Sequence, residues 1–476
     1  MKNKIVNKIK EAPNSVKSSV ALIVSSLLVK GIAFIVTPLF TRIMDMDDFG
    51  IVTTYNSWVS IIEVFAILGL TSAGVFNVGM KDNKKTRSEY ISSCLGLCNL
   101  TTLITFIVIF IVKILLGENS TISYEMLGVM FIHFLFSPAQ IFWLTRQRYE
   151  YKYKLSTIIS IGSVLLSQLL SVLFVMFTDN KSFGKIFGNE IGVLLFAIPF
   201  YILLLKRGGD YINLKRWKQI LVLSLPLIPH YLAQHIMGSS DKIMITHMTG
   251  AADSAIYGVV MNIGLIGTIF WNAINASLVP YSFDKIEKRR HKDIDKLSKK
   301  LITGYSIILL FVILLAPEIL AILAPASYSG GIYCVPPLTF AVFTQALYNL
   351  FANIEFYNKK TSGIAAATVG ATIINLILNW LLIPKFSYVG ASYATLIADI
   401  ALIFFHYLNY KRTKTNNIYD VRYIFILSVT FLVVSLLAIP LYNIAIVRYV
   451  LLLAIILTAI FARKYIIRVI RTMSKK

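Results

Sequence analysis

Runs of about twenty mostly apolar residues recur along the whole chain, and this constrains the fold more than any single motif does. About fourteen such runs lie between residues 15 and 471. Lipid offers no partner for backbone N–H and C=O groups, so a run of this length crosses a bilayer as a helix. Barrel strands alternate over about ten residues, and these runs are too long and too uniformly apolar for that. With 57% hydrophobic and only 14% charged residues, and a mean hydropathy of +0.72, a soluble domain could not bury this much apolar surface. The expected class is an all-α integral membrane protein. Spans are predicted at 16–40, 50–76, 88–116, 121–145, 155–178, 184–205, 219–240, 254–283, 301–323, 331–357, 363–383, 388–410, 421–442 and 444–463.

Charge then orients the spans. The net charge of +23 suggests a nucleic-acid partner only until its distribution is read. Lys and Arg cluster at 2–17, 81–87, 146–154, 206–218, 285–300, 359–360, 411–422 and 463–476, which are every second connection. The connections between them, at 45–48, 117–120, 251–254 and 317–330, are cation-poor, with Lys181, Lys185, Lys385 and Arg448 as exceptions. By the positive-inside rule both termini are cytoplasmic and the number of spans is even. The Lys-rich start resembles a signal peptide, but its apolar run is about 25 residues and contains Lys30, so it is expected to remain as the first helix. Cys94, Cys98 and Cys334 have no His or Cys partners at zinc spacing, and no cofactor is expected.

The chain repeats itself. Pro38-Leu39-Phe40-Thr41-Arg42-Ile43-Met44, running on to Phe49-Gly50, returns as Ser240-Asp241-Lys242-Ile243-Met244 and Tyr257-Gly258. A second echo sets Gln147-Arg148-Tyr149 and Ile161-Gly162-Ser163 against Glu355-Phe356-Tyr357 and Val369-Gly370-Ala371, and a third sets Phe187-Gly188 against Val389-Gly390. Two six-helix lobes follow, at 1–205 and 219–410, joined by a cytoplasmic link at 206–218 and followed by two extra helices and a basic tail at 411–476. Six is even, so both lobes enter the membrane in one orientation, and a cleft between such lobes opens to either face by rocking.

Polar groups inside helices cost about 2.5 to 3.5 kcal/mol each at the bilayer centre if they face lipid, so they mark candidate sites. Lys30 lies about 17 Å below the outer end of its helix and Glu63 about 20 Å below the outer end of the next, so the two are expected to meet. They form either a structural ion pair or an anion contact that Glu63 releases. Thr53, Asn56, Ser60 and Glu63 make one polar face, Ser160, Ser163, Ser167 and Ser171 a second, and Thr368, Thr372, Asn375 and Asn379 a third. Small polar stripes pack helices together, but their matched recurrence favours a hydrated cleft. His133, His230, His235, Glu190 and Asp399 are also embedded, each either a satisfied structural group or a proton carrier. Pro226 and Pro229 are expected to bend the helix beside His230. Arg42 and Lys242 occupy matched rim positions, as solvated anchors or as contacts to an anionic headgroup. Neither a P-loop nor a paired-carboxylate or nucleophile arrangement is found, which argues against an enzyme.

The segment from Pro38 to Gly50, together with Asp241-Lys242-Ile243-Met244 and Tyr257-Gly258, resembles the signature of bacterial polysaccharide transporters. These are the O-antigen and capsule repeat-unit flippases of the multidrug/oligosaccharidyl-lipid/polysaccharide (MOP) exporter superfamily. The resemblance implies a MATE-like arrangement of the two lobes. It implies export of an undecaprenyl-diphosphate-linked oligosaccharide across the bacterial inner membrane, an H+ or Na+ gradient as driving force, and polymerase and glycan-assembly proteins as partners. Lys30, Arg42 and Lys242 would then meet the headgroup, while Asn56, Ser60, Glu63, His133, His230, Asn375, Asn379 and Asp399 would line the cleft or couple the ion. A cation-coupled multidrug exporter of the same superfamily is the alternative, kept open by Glu63 and Asp399. A membrane-embedded glycosyltransferase is a third reading, disfavoured by the short outer connections.

Overall fold

The computed structural model describes residues 14–70, 79–80, 84–117, 122–415 and 417–461, and among these every regular element is helical. The basic start, the end of the second predicted span at Phe76 and the basic tail lie outside the described residues. Contacts group the chain into two units, Met1–His247 and Met248–Lys476.

The first unit contains α1 (Asn14–Ile43), α2 (Met46–Ile67), α3 (Lys84–Leu116), α4 (Tyr124–Tyr149), α5 (Tyr153–Phe177), α6 (Lys181–Gly208), α7 (Leu214–Ser224) and α8 (Ile228–Met248), which ends one residue past it. Side-chain caps fix several starts by satisfying first-turn N–H groups. Asn180 accepts from Phe183 N at 2.9 Å, and Asn213 accepts from Arg216 N at 2.9 Å. Gly209, at φ 68°, closes α6 in the left-handed conformation. The bend expected at Pro226 and Pro229 is a 3₁₀ turn, Leu225–Leu227, between α7 and α8.

Within this unit α5 lies along α6. The serine stripe on α5 is a packing face: Ser163, Ser167 and Ser171 are buried, Ser171 meets Gly188 and Ser167 meets Gly192 on α6, and Gly184 meets Phe174 and Thr178. A Cβ added at Gly192 would stand 2.3 Å from Ser167 Cα, and one at Gly188 would stand 2.6 Å from Leu170 O. Small residues let two helix backbones approach closely where lipid provides no hydrophobic driving force. This overturns the hydrated-cleft expectation for that stripe. The start of α7 is fixed to α3, with Trp217 Nε1 donating to Ser93 O at 2.9 Å and Arg216 pairing with Glu89 at 2.8 Å. Contacts therefore divide the chain one span later than the repeat does.

The second unit contains α9 (Ala251–Glu287), α10 (His291–Leu314), α11 (Ala316–Leu323), a 3₁₀ segment (Ala326–Cys334), α12 (Val335–Tyr357), α13 (Thr361–Lys411), α14 (Val421–Leu441) and α15 (Ala445–Phe461). The span predicted at 301–323 is two helices, broken at Leu315 before Pro317. The spans predicted at 363–383 and 388–410 run on within α13, interrupted at Ser387, whose φ of 48° and ψ of −136° are non-helical. Trp271, Tyr305, Phe343, Phe351, Tyr410 and Phe431 form a buried core joining α9, α10, α12, α13 and α14.

Twelve helices among the described residues are long and apolar enough to cross a membrane, and Ala445–Thr458 is a shorter apolar one. Dividing α13 at Ser387 adds another span, which brings the number to the expected fourteen. The protein is a multi-pass membrane protein. Leu103, Ile107, Ile111 and Leu115 on α3 are typical of its exposed apolar faces.

Candidate functional site

Three helices of the first unit bring titratable groups together. His133 on α4 faces Glu190 on α6, with Nδ1 and Oε2 2.5 Å apart, and their side chains are 19% and 5% exposed. Glu63 on α2 is close enough to act on the charge of His133, as Glu190 does. Glu190 also acts on Tyr55, whose side chain is buried on α2, and the edge of Phe134 meets the imidazole at 5.1 Å. With His133 protonated and both carboxylates ionised, the cluster carries one net negative charge. One more proton, or one monovalent cation, neutralises it. A partly exposed group of this kind within apolar helices suits reversible ion binding better than permanent pairing.

Asn56 is exposed, Ser60 is half-buried and donates to Asn56 O at 3.0 Å, and Glu63 is half-buried. Lys30 does not join these residues. Among the described residues Lys30 makes no ion pair, and the expected contact with Glu63 is absent because α1 packs chiefly along α5 instead of α2. Lys30 and Arg42 are twelve residues apart on α1, about 18 Å, so they do not converge. Arg42 is exposed and donates to Pro38 O at 2.9 Å. Lys242 is half-buried on α8 beside Asp241, and His230, on the same helix, lies 5.7 Å from the Tyr231 ring.

Lys185 was read only as an exception within a cation-poor connection. It lies one turn into α6, with its ammonium 3.9 Å from the centre of the Phe40 ring and 4.2 Å from that of Phe49. Lys181 donates to Ile43 O at 2.9 Å, and Asp48 accepts from Ser182 N at 3.2 Å. The repeated motif is thus a joint between the α1–α2 connection and the start of α6. The second unit has the same joint: Ser387, at the start of 388–411, donates to Asp253 at 2.5 Å and pairs with Thr249 at 3.0 Å.

In the second unit Asn375 and Asn379 are fully buried, and Asn379 donates to Asn375 Oδ1 at 3.1 Å. Asn375 reaches Thr395 at 3.4 Å, and Tyr257 reaches the same hydroxyl at 3.5 Å. Asp399 is half-buried and acts on Tyr348, as Glu355 does. In the sequence pattern Glu355 is only a repeat marker, and His406 has no place in it. The two form a pair 2.7 Å apart, each 0% exposed. A signal was available, since Tyr348 and Glu355, like Asp399 and His406, are seven residues apart and share a helix face. Among the described residues no group of three or more His, Cys, Asp or Glu converges as a metal site.

A sequence profile for the family described as "Polysaccharide biosynthesis protein" matches residues 15–286, more than half of the chain. The chain belongs to this family. Its matched region contains Glu63, His133 and Glu190 and ends before Glu355 and His406. This polysaccharide biosynthesis family member is 24% identical to the capsular polysaccharide biosynthesis protein CapF of Staphylococcus aureus, over 83% of the chain and 99% of that protein. Its fold resembles that of the lipid II flippase MurJ in an inward closed conformation, with a TM-score of 0.67 and 15% identity over 95% of the chain and 100% of that structure. It also resembles an inward-facing multidrug resistance MATE transporter of the MOP superfamily, with a TM-score of 0.62 and 13% identity over 83% of the chain and 98% of that structure. The fold is therefore MATE-like.

Proposed function

We propose that this protein is a flippase that carries a polyprenyl-diphosphate-linked oligosaccharide repeat unit, of O-antigen, capsule or exopolysaccharide, across the bacterial cytoplasmic membrane. It works by alternating access of lobes at 1–205 and 219–410, linked by 206–218, with 411–476 as an added helix pair. Both termini lie in the cytoplasm, in keeping with the basic connections. The observation that carries this reading is a partly exposed cluster of titratable side chains, His133, Glu190 and Glu63, inside a polysaccharide biosynthesis family member.

The cluster accepts the driving ion if that ion is H+. If the ion is Na+, the oxygen-rich Asn375, Asn379 and Thr395 network of the second unit suits a hard cation better. Lys30 and Arg42, about 18 Å apart on one helix, meet the diphosphate at different stages of its passage, and Lys242 contributes from α8. The polyprenyl tail stays in lipid. Asp399 and His230 act with the coupling groups, and polymerase and glycan-assembly proteins take up the product.

Deleting the gene in its host and measuring surface glycan together with lipid-linked intermediates tests this. Loss of the surface polymer, with complete lipid-linked units accumulating, supports the flippase. Unchanged glycan refutes it and favours the multidrug exporter, which the embedded carboxylates Glu63 and Asp399 and the likeness to MATE transporters also suit.

A further inference from the structure

One polar face of the second unit is used neither by the Glu355–His406 pair nor by the network around Asn375. α12 turns Phe343, Leu347 and Phe351 into the core of the unit. Away from that core it carries Gln345, Asn349 and Asn353, which four-residue spacing sets in one stripe about 12 Å long. Gln345 is exposed, and Asn349 and Asn353 are half-buried. α9 packs against α12 and adds Asn272, which is exposed, and Asn275, which is half-buried. Asn353 Nδ2 donates to Asn275 Oδ1 at 2.9 Å, so the amides of the two helices form one continuous face.

Each primary amide has two N–H donors and a carbonyl oxygen with two lone pairs. Little of that capacity is used within the protein. Asn349 gives one donor to Gln345 O of its own helix at 2.9 Å, and Asn353 gives one to Asn275. The side chains of Gln345 and Asn272 make no hydrogen bond to another described residue. Both lie well inside helices long and apolar enough to cross a membrane. Against lipid these amides would be left unsatisfied, so the face belongs toward water or a polar ligand.

The face is also uncharged. No Lys, Arg or His occurs from Ala251 to Phe283 or from Val335 to Tyr357. Asp253 is at the start of α9, bonded to Ser387, and Glu355 is fully buried against His406. A diphosphate is held by Lys and Arg, and a cationic drug by carboxylates, so neither suits this face. A sugar does. Each hydroxyl both donates and accepts, and an amide offers a donor and an acceptor side by side, so neighbouring hydroxyls of one ring can bond to a single Asn or Gln.

We infer that the amide face of α9 and α12 binds the saccharide of the lipid-linked substrate, with Asn272 and Gln345 as its principal contacts. This rests on the flippase reading and deepens it: the diphosphate is left to cations elsewhere, and the amides distinguish a glycan-bearing carrier from the bare one. Because amides do not titrate, that preference should be the same from about pH 6 to 8.

The test uses the purified full chain and two probes, lipid-linked repeat units extracted from its host and bare undecaprenyl diphosphate, with binding read by native mass spectrometry. N272A/Q345A should bind the glycan-bearing probe about tenfold more weakly, since several hydrogen bonds are lost, and the bare probe as before. Undiminished binding of the glycan-bearing probe, or an equal loss for both, overturns the site. If the unaltered protein binds both probes equally well, the site is overturned while the flippase reading stands. If it binds neither, the flippase reading fails and the site fails with it. Should the double variant not fold, Gln345→Cys alone decides, because Gln345 is exposed and the native cysteines are buried. Its alkylation by a maleimide should be slowed by the glycan-bearing probe and not by the bare one, and equal slowing or none overturns the site.

Discussion

Phe40 and Phe49 face one ammonium from two helices, and this single contact explains why the first copy of the motif has aromatic residues on both sides of its turn. A cation over a ring contributes about 0.5 to 1 kcal/mol where exposed and about 2 kcal/mol where water is excluded. A double-mutant cycle of Phe40→Leu with Lys185→Met should give a coupling of about 1 kcal/mol in thermal unfolding, and additive losses would mean that the rings only pack. The His133–Glu190 pair makes a different demand. Glu190→Gln keeps a hydrogen-bond partner for the imidazole, so the variant should insert at normal levels. It removes the carboxylate charge on which the proposed coupling depends, so export should fall at least tenfold. Lipid-linked units accumulating beside normal protein levels would show this, and unimpaired export would remove the pair from the coupling step.

At the scale of elements, the decisive contacts are close helix approaches and the fastening of the added helices. Gly192→Leu must displace backbone, since its Cβ alone would meet Ser167 Cα at 2.3 Å. The variant should lose stable folding, by at least about 2 to 3 kcal/mol, while Ser167→Ala should be tolerated; size-exclusion profiles after heating will separate the two. The added helix α15 depends on Arg448, which is nearly buried and donates to Leu314 O at 2.9 Å and to Glu318 at 2.8 Å. Partial burial raises the Glu318 carboxyl, but the hydrogen bonds from Arg448 and Tyr449 outweigh this and hold it below the ordinary glutamate range. A lowered folded-state pKa contributes stability that is present above the unfolded value and lost as pH falls through the folded one. Docking of α15 should therefore loosen only in acid, below about pH 4. Hydrogen exchange of 445–461 measured against pH should show this dependence, and Glu318→Gln should abolish it.

For the whole molecule, transport requires that a cation can leave one partner and meet another. Lys30, half-exposed and without an ion pair among the described residues, meets that requirement better than the fixed pair with Glu63 would. Lys30→Ala should insert normally and lower glycan export at least tenfold, as measured by surface polymer per unit of inserted protein. Normal export by a stably inserted variant would exclude Lys30 from headgroup passage. The carboxylate expected to meet Lys30 acts instead on His133.

The sequence by itself determined the membrane class, the fourteen spans, the repeat and the embedded polar residues, because helix length and apolar content are local properties that lipid enforces segment by segment. Tertiary structure alone decided which faces meet. Period along a helix places residues on a face but does not say which neighbour that face finds, so the serine stripe of α5 pointed to a cleft when it packs on the glycines of α6. For the same reason Lys30 was matched with the next helix in sequence, although α1 packs along the fifth. Lys185, Glu355 and His406 were hidden because their meaning comes from partners between 51 and 145 residues away. A charged residue near the end of an apolar run looks solvated until a second helix closes over it.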